Sequence, residues 1–336
     1  MTCANVFGTR PQRSTIFMTF VYPCVVQPGV GPDWKGCSTP VPEFTLSAAL
    51  LPIVFSLVAA FLFALGAQFQ SLGLAYMDSR SGAAITIGTS AMLFILAAPV
   101  FLEIDNLLHP AVLIFMLIGC FRPAVSANLA LAGMRHLGPT LSSTLTSTAP
   151  FFGAALGVFW LGEVLTWPTA VGTLAIVFAI MMLSTNRDGV ASSWPLWALA
   201  LPVGAAAIRS GAHVLTKVGM ESVPDVYIAG LVGFVVSAII TLCIHKARCD
   251  APPIPWISPG AHWFMGASCC FSLAVIALNT ALHVGQVVQV IPIVAASPIF
   301  TLLLSVTVFR REKITIRVVG AVFIVVPAVI LIAVAG

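Results

Sequence analysis

Ten separate apolar stretches, each long enough to cross a bilayer, run from residue 51 to the end of the chain and leave no room for a soluble domain. Crossing about 30 Å of hydrocarbon takes roughly 20 residues of helix, and lipid offers the backbone no hydrogen-bond partner. The runs stay apolar for 18 to 27 residues, whereas strands of a membrane barrel alternate over about 10. An all-α membrane protein is therefore expected. The spans fall at residues 51–77, 82–102, 111–134, 140–161, 167–184, 195–216, 226–244, 262–283, 287–309 and 318–335.

Composition excludes the main alternatives. With 59% hydrophobic and 8% charged residues, the chain lacks the polar surface to coat a soluble globule. The formal net charge of +4 is spread thinly, without a Lys/Arg run to follow a phosphate backbone, so nucleic acid is not an expected partner. Eight cysteines show no CxxC pair and no His-linked metal spacing. No metal or cofactor is expected.

Residues 1–45 differ from the rest, being rich in Pro, Gly, Thr and Cys, and their one apolar run, Ile16 to Val26, is too short to span. They read as an extramembrane tail or a targeting segment. Polar breaks divide the remainder, among them Asp78-Ser79-Arg80, Glu103 to Asn106, Gly162-Glu163 and Glu221 to Asp225. Only the break at 246–261, with four prolines, is long enough for a real loop. Short connections make consecutive helices antiparallel neighbours in a compact bundle, and Gly153 and Gly157 would let another helix approach the fourth span closely.

The chain also repeats itself. From His136 it reads HLG, then Pro150 in APFF, then Glu163-Val-Leu-Thr; from His283 it reads HVG, then Pro298 in SPIF, then Glu312-Lys-Ile-Thr. The copies lie 147 to 149 residues apart, which divides the membrane portion into five-helix halves, 46–188 and 189–336. An odd number of crossings per half turns the second half over, giving the inverted repeat of secondary transporters that work by alternating access.

The stretches LGPTLSSTLTSTAPFFGAALGVFWLGEVLTWPTAVG and VGQVVQVIPIVAASPIFTLLLSVTVFRREKITIRVVG resemble the drug/metabolite transporter superfamily, specifically its EamA-like ten-helix members. The family pattern places a proline midway along the fourth helix of each half and a Gly-Glu near its end. Here these are Pro150 with Gly162-Glu163, and Pro298 with Arg311-Glu312, where Arg311 departs from the usual glycine. The resemblance implies export of a small metabolite, an amino acid or a related anionic or zwitterionic compound, across the plasma (inner) membrane through a cavity between the halves. It also implies cytoplasmic termini, whereas the excess of Lys and Arg in the odd-numbered connections points to the reverse.

Charge inside a bilayer is costly and must face protein or water. Arg122 lies in the third span directly before Pro123, and Arg209 well inside the sixth. Arg209, His213 and Lys217 are spaced by four along one helix face. Arg122, Arg209 and His213 are the candidates for a positive pocket that attracts an anionic cargo, His213 doubling as a carrier of a coupling proton. Lys217 reads as a marker of the membrane surface. No Asp or Glu sits near the middle of a span, which disfavours exchange of organic cations for protons.

The uncharged candidates are Gln68, Asn128, Asn279 and Gln289, amides that suit a polar solute and equally well glue helices together. Thr140, Ser143, Thr144, Ser147 and Thr148 make a hydroxyl face expected to bond back to the preceding turn. Pro150 and Pro298 each remove a backbone bond and are the hinge or gate candidates. Glu163 and Glu312 close their spans, where an acid meets an unfavourable helix C-terminus unless it caps another helix or pairs with a base; they read as structural. The rival reading is an intramembrane enzyme, such as a serine protease built on Gly266-Ala267-Ser268 with His213 or His283 as base, or else a sensor or channel.

Overall fold

The structure, a computed structural model, describes residues 43–122, 125–126, 129, 132–133, 136–137, 142, 145–184, 196–247, 254–309 and 316–334. Asn128, Thr140, Ser143, Thr144, Arg311 and Glu312 lie outside the described residues, as does most of the N-terminal tail. The described residues hold helices and no strand. We label them α1 (Glu43–Gly73), α2 (Ser79–Phe101), α3 (Val112–Phe121), α4 (Ala149–Leu161), α5 (Trp167–Ser184), α6 (Ala200–Ser222), α7 (Val226–Lys246), α8 (Pro259–Val284), α9 (Val287–Ala295), α10 (Ser297–Thr307) and α11 (Ile316–Val334). A single helical turn at Ile104–Leu107 joins α2 to α3.

Six of the spans, beginning with Leu50–Gly73 and ending with Val287–Thr307, are at least 18 residues long and apolar enough to cross a membrane. Their outward faces are as apolar as their inward ones. Leu50, Val54, Val58 and Phe61 recur at helical spacing along the exposed side of α1, and Met92, Ile95, Leu96 and Val100 do so on α2. A helix apolar all round belongs inside lipid.

Two boundaries move. The first helix begins at Glu43, inside the segment that composition assigns to the tail, because Pro52 is absorbed within it. The ninth span is two helices, α9 and α10, broken at Ala296. Pro298 explains the break: a ring without an N–H is tolerated in a first turn, where that donor has no partner anyway, and not in a helix interior. Pro150 occupies the same place at the start of α4. The turns match bond for bond, Thr148 N to Leu145 O and Phe151 N to Thr148 O in one half, Ala296 N to Ile293 O and Ile299 N to Ala296 O in the other.

A second pair of equivalent positions supports the duplication. Asp78 accepts from the Arg80 and Ser81 amides at 3.1 Å each and caps α2. Asp225, 147 residues later, accepts from Tyr227 and Ile228 at 2.8 and 3.1 Å and caps α7. Both satisfy amides that a helix start leaves open.

The halves interleave. α1 lies along α8, α2 against α7, α4 against α9, and α5 against α11. Small residues allow these approaches, as with Ala59, Ala60 and Ala64 of α1 and Ala267, Ala274 and Ala281 of α8, all almost fully buried. The Phe264 ring fills the space left at Gly73 and Gly82, where a methyl group would overlap it. Ile291 and Val288 of α9 press on Gly153 and Gly157 in the same manner.

Candidate functional site

α6 carries the basic stripe, and its neighbours determine what each member can do. Ser210 donates to Ala149 O at 2.6 Å, fixing α6 to the start of α4, and Ser126 donates to Ala205 O at 3.3 Å from the third span. Arg209 and His213 are thereby brought beside Arg122, which continues the last turn of α3 through an N–H to Ile118 O bond of 2.9 Å. Each arginine lies close enough to act on His213 electrostatically, and they act on one another. Like charges held together must be offset by something.

Among the described residues no carboxylate pairs with them. Arg122 is half-buried and Arg209 exposed, and among the described residues the only ion pair within 4.0 Å is elsewhere, between Lys217 and Glu163. The sequence carries no Asp or Glu between Asp105 and Glu163, so the residues completing the third and fourth spans supply no carboxylate either. His213 is 7% exposed, and its Nδ1 has no hydrogen-bond partner. An unpaired polar atom costs about 1 to 3 kcal/mol when buried.

Between α3 and α6 lies a cleft of about 270 Å³, walled by Leu117, Ile118 and Phe121 on one side and by Ile208, Gly211 and Leu215 on the other, none of the three basic residues lining it. Every wall is apolar.

The other end of the stripe is a closed network, and here the structure corrects the sequence reading. Lys217 is not a surface marker: its Nζ donates to Glu163 Oε1 at 2.8 Å and to Gly285 O at 2.7 Å, with the two side chains only 17% and 6% exposed. Glu163 also accepts from Val287 N at 2.8 Å and Val288 N at 2.9 Å, the open amides of α9. α9 lacks a side-chain cap of its own. Gly162 adopts φ 66°, a left-handed conformation that suits glycine, and this turns Glu163 back toward α9. Gly157 leaves room for the carboxylate. The signal for this network was the Gly-Glu pair itself, an acid at a helix C-terminus that needs a distant amide or base.

The amides separate by partner. Gln68 donates to Thr301 O at 2.6 Å, tying α1 to α10, and Asn279 donates to Val226 O at 3.1 Å, tying α8 to α7. Gln289 is buried on α9 with no side-chain partner among the described residues. Ser268 donates to Thr86 O at 3.0 Å and Phe264 O at 2.8 Å. Its single hydroxyl proton is shared between these helix carbonyls and is not directed at a histidine.

The EamA-like transporter family matches residues 50–185 and again 196–334. The chain belongs to that family, a family of membrane transporters, and carries its domain twice. A protein solved by crystallography superposes with a TM-score of 0.70 at 14% identity, over 83% of this chain and 95% of its own, a likeness of fold alone. No curated protein sequence matches the chain.

Proposed function

We propose that this integral, multi-pass membrane protein is a secondary carrier that exports a small carboxylate-bearing metabolite, an amino acid or a related anion, across the plasma membrane. The observation that carries the reading is the pair Arg122 and Arg209 inside the membrane region near His213, whose Nδ1 has no partner, with no carboxylate among the described residues paired with either arginine. Residues kept at that cost are functional by default, and the missing negative charge is the cargo's. Of the three described amides, Gln289, buried on α9, is the one whose side chain is not committed to a backbone carbonyl of another helix.

Alternating access is supported by the duplication. The five-helix halves expected from the sequence would place the copies in opposite orientation, and the matched turns before Pro150 and Pro298 give each half a break where its gating helix can pivot. The Glu163 network, which ties the end of α4 to α6 and α9, then acts as a latch at one end of the bundle. A channel would need no such latch on a route that binds its cargo. Metabolite profiling of cells with and without the protein, followed by uptake into proteoliposomes, tests the reading. Saturable counterflow of a carboxylate is expected, and conductance far above carrier turnover would refute it.

A further inference from the structure

We infer that the Glu163 network is a one-sided latch: it holds the carrier shut at the end of the bundle where α9 begins, and the duplicated half has no lysine with which to shut the other end equally well. The inference rests on the carrier reading and adds which of its two end states is preferred at rest. Glu163 belongs to the first copy of the domain, whereas Lys217, Val287 and Val288 belong to the second. These three bonds to the carboxylate therefore cross between the halves. Glu163 follows the end of α4 by two residues, Gly285 follows α8 directly, and Lys217 stands five residues before the end of α6. The network thus gathers four helices at one end.

The bonds fail together. Oε1 takes Lys217 Nζ and Val287 N at 2.8 Å each, and Oε2 takes Val288 N at 2.9 Å. Parting the halves here strands a carboxylate, an ammonium and two helix-start amides, which only water can then satisfy. The latch opens as a unit, with water entering this end.

The duplication sets what the other end can do. Asp78 and Asp225, as matching helix caps, fix the register of α1 against α6. Lys217 stands eight residues before Asp225, and Gln70 stands eight before Asp78. Gln70 donates to Thr86 Oγ1 at 3.5 Å, inside its own half. It also lies 18 residues along α1 from Pro52, which packs against Gly285, so it is about 27 Å from the latch at 1.5 Å per residue. A mirrored closure of that far end would have an uncharged amide where this end has an ammonium. Hydrogen bonds to ionised partners are roughly twice as strong as neutral ones, so the state with the Glu163 end shut is favoured.

Hydrogen exchange of the full chain in detergent, followed by peptide mass spectrometry, reads opening without any solute. A chain that opens yet carries nothing would therefore refute the carrier reading alone. Lys217→Gln should raise exchange at Val287 and Val288 at least tenfold more than across α8. Equal rises in both would make the network a brace of the whole fold and overturn the latch, as would no rise at α9. Gln70→Lys gives the far closure its missing ammonium and should also raise exchange at Val287 and Val288, at least threefold, although it touches nothing there. Gln70→Met, which loses the bond to Thr86 without adding charge, should leave them unchanged. No rise with lysine, or an equal rise with methionine, would overturn the one-sidedness.

Discussion

Two basic clusters sit on α6, two turns apart, and one has everything the other lacks. At Lys217 the charge meets a carboxylate and a carbonyl, and the carboxylate in turn meets two helix-start amides. At Arg209 the charge lies near another arginine and an imidazole whose Nδ1 has no partner. On the proposed reading, satisfaction marks which charge inside the membrane region holds the fold and which is left for a ligand. Position along the helix does not.

Breaking the satisfied cluster should cost the most. Glu163→Ala strands a buried lysine and uncaps α9, so a loss of about 3 to 5 kcal/mol is expected in thermal unfolding of the detergent-solubilised protein. The double variant Glu163→Gln, Lys217→Met should recover much of it. Loss no larger than for a surface substitution would mean that the network is incidental.

The open cluster should behave in the opposite way. Arg122→Ala or Arg209→Ala should lower carboxylate uptake by about 100-fold, roughly 2.7 kcal/mol, while thermal stability stays level or rises as repulsion is relieved. A variant that unfolds would make these arginines structural and erase the contrast.

Smaller effects come from the paired caps, which sharpen the comparison between halves. Asp78→Ala and Asp225→Ala should each cost about 1 kcal/mol. Their pH dependence should differ. Hydrogen bonds from Ser81 hold the Asp78 carboxyl below its usual range, so its contribution is present above about pH 4 and lost as pH falls through the lowered value. Burial, the largest influence on Asp225, pushes its carboxyl up, so the native state favours the protonated form and its contribution grows as pH falls. Unfolding of Asp78→Asn and Asp225→Asn against the parent between about pH 2 and 7 separates them, and parallel profiles would contradict the assignment. Of similar size, Gly162→Ala should cost about 1 kcal/mol through its left-handed φ.

The comparison also shows how far a sequence can be read in lipid. Span positions were legible because continuous hydropathy is a long-range signal, and the fifth span, Trp167–Ser184, begins and ends where expected. The duplication was legible in His136, Pro150 and Glu163 against His283, Pro298 and Glu312. Asp78 and Asp225 carried the same message, but only as isolated breaks, since one aspartate at a boundary says nothing about its register. The break at Ala296 was less legible, because hydropathy runs through Pro298 without change. Lys217 was misjudged for a different reason: its partner lies 54 residues away on another helix, and helical spacing reports only which residues share a face. Gln68 and Asn279 illustrate the same limit, since a buried amide looks alike in sequence whether it meets a carbonyl 233 residues away or a solute.

The most direct test of the open cluster is equilibrium binding of a radiolabelled carboxylate to purified protein by scintillation proximity, which separates recognition from turnover. Saturable binding is expected from the parent and from Lys217→Met, and none from Arg122→Ala, Arg209→Ala. Undiminished binding by the double arginine variant would contradict the claim that these two residues receive the cargo's charge.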